Sequence, residues 1–109
     1  GRPLNTASVR LGPTAGRLGI GEGIETALAA SRHFGFPVWA AGNARLLEQW
    51  APPPGVNQVL IAGDNDASQT GQAAAYALAS RLLRDGYAVE VRIPKMEGED
   101  WADVEKSAA

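Results

Sequence analysis

Val59-Leu60-Ile61-Ala62 runs without a polar residue into Gly63-Asp64-Asn65-Asp66. A half-exposed strand would alternate, so this unbroken apolar run predicts a strand buried on both faces. Strands of that kind belong to parallel sheets covered by helices on both sides, which confines the chain to α/β architectures. Two aspartates stand one residue apart where the strand gives out, and carboxylates so close repel unless a cation or proton intervenes. Ligands in open α/β sheets bind beyond the carboxyl ends of the strands, so this end is the first place to look for chemistry. A second acid follows the same logic. Arg17-Leu18-Gly19-Ile20-Gly21 predicts a short strand, and Glu22 stands where it ends. Glu22, Asp64 and Asp66 together form a candidate divalent-metal site.

The rest of the chain supplies the helices such a sheet needs. After Gly23 the period changes, with Ile24, Ala27, Leu28, Ser31 and Phe34 at helical spacing, and the alanine-rich run Ala27 to Ala30 suits close packing on a sheet. Gly35-Phe36-Pro37 ends that helix. Val38 to Ala41 predicts a second short strand, and Gly42-Asn43 leads into a brief helix through Leu46, Leu47 and Trp50. Pro52-Pro53-Pro54 and Gly55 stop it. Gln69 to Asp85 is the clearest helix, with Ala75, Leu78, Ala79 and Leu82 in one stripe and Gly86 as its stop. Tyr87, Val89, Val91 and Ile93 then alternate with Ala88, Glu90 and Arg92, a strand with one face more polar than the other. The order β-α-β-α-β-α-β requires parallel strands. Ala7 to Leu11 reads as an edge strand or the tail of an upstream domain, and the acidic stretch Met96 to Val104 as a last turn of helix.

Length and charge set bounds on function. At 109 residues the chain suits a single compact domain spanning 1–109. It opens on Gly1-Arg2-Pro3 rather than methionine, which reads as a segment excised from a longer multidomain protein. Ten basic and twelve acidic residues give a net charge of −2, no general attraction for nucleic acid, so another domain would supply most of the grip on a polyanion. Cysteine is absent, which excludes disulfides and thiolate metal sites and is compatible with a cytoplasmic setting. No apolar run reaches the ~20 residues needed to span a bilayer.

Each motif has a plainer explanation beside the functional one. Aspartate and asparagine cap helix N-termini, so Asp64-Asn65-Asp66 alone could be a helix start; a cap needs only one acid, however, and the buried strand behind the pair favours a metal. Three alternating glycines at Gly19, Gly21 and Gly23 invite a dinucleotide-binding reading, but the third glycine of that fingerprint would fall at Ile24. The glycines around Glu22 are better explained by close backbone approach or a positive φ, and Glu22 itself could simply face a helix N-terminus. Asp100 and Asp103, three apart, could share one side of a helical turn or belong to an acidic surface tail. His33, the only histidine, reads as structural or solvated, and Trp39, Trp50 and Trp101 as core or rim. Arg32 and Arg45 could reach a phosphate or equally be solvated. Ser31, Ser68 and Thr70 have no paired base, so serine-type hydrolysis has no support.

Gly21-Glu22-Gly23-Ile24-Glu25-Thr26-Ala27-Leu28-Ala29-Ala30, Ala62-Gly63-Asp64-Asn65-Asp66 through Gly71, and Asp100-Trp101-Ala102-Asp103 occur in that order, and with them the chain resembles a Toprim domain of the DNA primase and primase-helicase type found in bacteria, phages and plasmids. The resemblance covers about residues 8–105. It implies a compact, Rossmann-like α/β fold with about four parallel strands between helices, and a Mg²⁺ or Mn²⁺ site. Glu22 matches the family's glutamate, a general acid or base in nucleotidyl transfer. Asp64 and Asp66 match its metal-binding pair, while Asp100, and less closely Asp103, match acids that extend the metal site. Many bacterial primases carry an aspartate four residues beyond the glutamate, where this chain has Thr26; Glu25, one residue earlier, is a possible auxiliary acid.

The activity implied is primer synthesis on single-stranded DNA from nucleoside triphosphates, in which a 3′-hydroxyl attacks an α-phosphate and divalent cations neutralise the charge that develops. A helicase domain or subunit is the expected companion, in the cytoplasm and without a membrane. Phosphate-binding residues are not assigned. Toprim domains also serve topoisomerases and nucleases that cleave DNA, and non-catalytic Toprim-like modules bind DNA or protein; retention of three acids argues against the last, since a scaffold has no use for clustered carboxylates.

Overall fold

A computed structural model describes residues 16–65, 69–94 and 101. Four strands, β1 (Arg17–Gly21), β2 (Val38–Ala40), β3 (Gln58–Ala62) and β4 (Ala88–Arg92), alternate with three helices, α1 (Ile24–Phe34), α2 (Ala44–Gln49) and α3 (Thr70–Arg84). The strands form one sheet in the order β2-β1-β3-β4, every pair parallel. This is the compact α/β fold that the residue pattern predicts, with boundaries within two residues of those expected. The segments Ala7 to Leu11 and Met96 to Val104 lie outside the described residues, Trp101 excepted.

Burial explains why the strands read differently. Leu18, Ile20, Trp39, Val59 and Ile61 point to one face, where Leu47 of α2 and Ala74, Ala75, Leu78 and Leu82 of α3 cover them. Val38, Ala40, Leu60 and Ala62 point to the other, under Ala27, Ala29 and Ala30 of α1. β3, central and doubly covered, is apolar throughout after Gln58; β4, at the edge, buries only Val89 and Val91 in part and exposes Ala88, Glu90 and Arg92. Charge on an exposed edge discourages pairing with another chain.

The helix α1 lies closer to the sheet than its apolar stripe suggests. Ile24 and Leu28, which fall at helical spacing, are 52% and 37% exposed, and the buried face is instead Thr26, Ala27, Ala29 and Ala30. The cause is the strand beneath. A Cβ on Gly21 would stand 3.4 Å from the Ala62 carbonyl oxygen and 3.8 Å from the Ala27 Cα, so backbone meets backbone and only small side chains fit between. Gly35 then ends the helix in the left-handed region at φ 80°, its N–H donating to the Ser31 carbonyl at 2.9 Å.

Side chains complete the connections. The Asn43 carboxamide oxygen accepts from the Leu46 N–H at 2.9 Å, capping α2. Arg81 of α3 donates to the Glu48 carbonyl at 2.8 Å and to the Trp50 carbonyl, satisfying acceptors that the end of α2 leaves without helical partners. The Ser31 hydroxyl donates to the Phe36 carbonyl at 2.9 Å, a structural task for one of the hydroxyls.

Gly19 is the tightest point of the sheet. A Cβ there would meet Val38 Cγ2 at 2.6 Å, and Val38 is fully buried and β-branched, with little freedom to move aside. Gly19→Ala is therefore expected to lower stability by about 1–3 kcal/mol in urea denaturation. Gly19→Ala combined with Val38→Ala should cost less than the two single changes added together, because the second opens the space the first requires.

Candidate functional site

Two acids emerge at the centre of the sheet's carboxyl end. β1 and β3 pair in register from Arg17 with Gln58 to Gly21 with Ala62, so Glu22 follows the last paired residue of one strand and Asp64 lies two beyond the last of the other. Neighbouring strands run about 4.8 Å apart, which brings these two chain exits side by side. The junction between β1 and β3 is also where the winding reverses: β1 leads through α1 to β2 on one side, and β3 through α3 to β4 on the other. Open α/β sheets form their binding crevice at that reversal.

The segments that carry the acids are fixed by backbone bonds. The Gly42 N–H donates to the Glu22 carbonyl at 2.7 Å and the Ala41 N–H to the Gly21 carbonyl at 2.8 Å, holding the exit of β1 against that of β2. On the other side the Gly63 N–H donates to the Arg92 carbonyl at 3.0 Å. A Cβ on Gly63 would lie 3.3 Å from Ile93 Cγ1 and 3.4 Å from Ala75 Cβ, so α3 and β4 close in on this residue as α1 does on Gly21. Both acids thus follow glycines that lie close to a neighbouring element.

The plainer explanations can now be weighed. The N-cap of α3 is Gln69, five residues after Asp64, so Asp64 is not the cap of the helix that follows its strand. Gln69 takes this place at φ 63°, an uncommon left-handed conformation for a residue with a Cβ. The N-cap of α1 is Gly23, which is extended (φ −111°, ψ 164°) and where an added Cβ would meet nothing within 4 Å, so neither proposed reason accounts for Gly23. Glu22 precedes this cap. Glu25 sits in the first turn of α1, exposed, where its charge complements the helix dipole. Glu22 and Asp64 are half-buried, with Asp64 Oδ1 shielded from solvent.

Asp66, Asp100 and Asp103 lie outside the described residues. Among the described residues no three of His, Cys, Asp and Glu gather closely enough to hold a metal ion. The chemistry of the donors nonetheless fits a hard cation: the two acids at the reversal offer only carboxylate oxygens, and the chain has no cysteine. The histidine, His33, is in the last turn of α1, and α1 begins beside Glu22 and runs away from it. Its ring packs on Phe34 and Trp101, at centroid separations of 4.9 and 5.3 Å. Arg32 and Arg45 are exposed.

All three tryptophans are buried, Trp39 and Trp50 under α2 and α3, and Trp101 on the α1 face with Leu60 and Ala62. Trp101 meets Phe34 edge-on at 5.0 Å. Its neighbour in the sequence is Asp100, which lies outside the described residues. A cavity of about 280 Å³ opens at the opposite end of the strands, lined by Arg17, Phe36, Gln58, Leu60, Ala88 and Glu90. Arg17 lies over the Phe36 ring at 4.2 Å, and no acid of the candidate site is among those residues.

The sequence did not expose the role of Asn65. Its carboxamide binds Pro94 and Gln72, partners 29 and 7 residues away, and its backbone forms an isolated strand bridge. The one sequence signal was an amide between two carboxylates, which says nothing of distant partners.

The Toprim domain family matches residues 17–109. No curated protein matches the chain. Among solved structures, the chain is similar to the crystal structure of a DNA primase domain from Pseudomonas aeruginosa, at 20% sequence identity and a TM-score of 0.58. That similarity covers 84% of this chain and 29% of the other, so the chain spans less than a third of the protein it resembles and shares its fold over that part.

Truncating Trp101 tests its packing on the α1 face. Trp101→Ala is expected to cost about 3–5 kcal/mol in denaturant unfolding, whereas Trp101→Phe, which keeps a ring against Phe34, should cost less.

Proposed function

The chain belongs to the Toprim domain family, and from that premise we propose that it is the catalytic Toprim domain of a DNA primase or primase-helicase, carrying out metal-dependent nucleotidyl transfer to make RNA primers on single-stranded DNA. The observation that carries the reading is the pair Glu22 and Asp64, delivered by adjacent central strands to the reversal point of a parallel sheet. The fold shared with a DNA primase domain supports the same reading.

In it, Asp64 and Asp66 hold Mg²⁺ or Mn²⁺, with Asp100 and Asp103 extending the acidic site and Glu25 in reserve at the head of α1. Bound there, the cation supplies positive charge against the phosphoryl oxygens of a nucleoside triphosphate and its leaving pyrophosphate. Glu22 accepts a proton from the attacking 3′-hydroxyl or returns one to the leaving group, as a general base or acid within hydrogen-bond reach of the reacting oxygens. With a net charge of −2, the domain gains its hold on the template from elsewhere. It therefore works as part of a longer cytoplasmic protein, with single-stranded DNA and nucleoside triphosphates as substrates and a helicase domain or subunit as companion. No helix among the described residues is long and apolar enough to cross a membrane.

Primer synthesis by the protein that carries this domain, with Glu22→Gln and Asp64→Asn introduced separately, tests the reading. Glu22→Gln is expected to lower kcat by about 100-fold or more while leaving the Mn²⁺ concentration for half-maximal activity nearly unchanged, as loss of a proton-transfer group would. Asp64→Asn should instead raise that concentration. Full primer synthesis by either variant would overturn the assignment.

A further inference from the structure

Asn65 stands between the two aspartates in the sequence and is half-buried. Its Nδ2 donates to the Pro94 carbonyl at 2.7 Å, and its Oδ1 accepts from Gln72 Nε2 at 3.1 Å. One carboxamide thus joins the loop after β3, the chain leaving β4 and the first turn of α3. An asparagine in an ordinary turn bonds backbone groups about two residues on; both of these bonds leave the loop. Between the two exits the Gly63 N–H donates to the Arg92 carbonyl, and the bond from Asn65 to Pro94 lies two residues further along each chain, now with a side-chain donor.

That extension falls where the carboxylates are. Peptide planarity leaves two soft dihedrals per residue, so anchoring Asn65 restricts the aspartate before it, Asp64. Pro94 is itself buried, so the anchor is fixed at its far end. Carboxylates that hold a cation depend on outer partners to orient them, and losing such a partner costs about 10–100-fold in metal affinity. We propose that Asn65 is a positioning residue: through Pro94 and Gln72 it holds Asp64, at the exit of β3, at one spacing from the exit of β4, and so sets the affinity of the acidic site for a divalent cation. The proposal rests on the metal-dependent reading given above.

Mn²⁺ titration of this chain, followed by the electron paramagnetic resonance signal of free Mn²⁺, tests it, with thermal unfolding of each metal-free variant in parallel. Asn65→Ala is expected to weaken Mn²⁺ binding about 10-fold or more. Asn65→Asp keeps an acceptor for Gln72, loses the donor to Pro94 and adds a third carboxylate. Were affinity set by the number of charges, this variant would bind more tightly; positioning requires that it bind more weakly than the wild type. Should Asn65→Ala fail to unfold cooperatively, Gln72→Ala, which removes the tie to α3 and leaves that to Pro94, carries the test with an expected weakening of a few fold. Unchanged affinity in a folded Asn65→Ala or Gln72→Ala variant, or tighter binding by Asn65→Asp, overturns the proposal. If in the same experiment the wild type binds Mn²⁺ and Asp64→Asn abolishes it, only the positioning role has failed. A wild-type chain that takes up no Mn²⁺ overturns both.

Discussion

Parallel pairing of β1 with β3 is the contact on which the acidic end depends. The two strands are far apart in the chain, and Glu22 and Asp64 come to neighbouring chain exits only when Arg17 to Gly21 align with Gln58 to Ala62. A slip of one residue would send the apolar side chains of one strand to the opposite face, so the register is held by both cores at once. Leu18 and Ile20 must meet α2 and α3, while Gly19 and Gly21 must face the residues under α1. The energy that aligns the acids is therefore hydrophobic burial in the sheet, and the carboxylates are carried to their places by residues that take no part in the chemistry.

The two faces solve the packing problem differently. On one, large side chains interdigitate: Trp39, Leu47, Ile61, Leu78 and Leu82 fill the space between the sheet and two helices. On the other, alanines and glycines let α1 settle close to β1 and β3. The N-cap of α1, Gly23, comes one residue after Glu22, so the acid is held on a short, bonded turn between a strand and a helix. Asp64 is held comparably, by Gly63 under Ile93 and Ala75 and by the bonds of Asn65.

Much of this was legible in the sequence because burial on two faces leaves an unmistakable mark. The apolar run of β3, the alternation of β4 and the stripe of α3 each follow from how many sides of an element are covered, and the acids could be read as the residues that break those patterns at strand ends. The covered face of α1 was not legible in the same way. Ile24 and Leu28 are its most apolar residues at helical spacing, yet the glycines of β1 admit only alanine, and hydrophobicity alone does not register the spacing between layers. The ties of Asn65 were invisible for a different cause. They join the exits of two strands whose adjacency is a property of sheet order, and the alternation of strands and helices leaves that order open.

The central claim is that Asp64 and Asp66 hold a divalent cation beside Glu22 rather than serving the helices that follow. Titrating Mg²⁺ and Mn²⁺ into the wild-type chain and into an Asp64→Asn/Asp66→Asn double variant, with binding read by NMR line broadening and thermal shift, tests it most directly. Saturable binding that broadens resonances around Gly21, Glu22 and Gly63 and disappears in the double variant is the predicted result. A metal response of equal strength in both chains would contradict it.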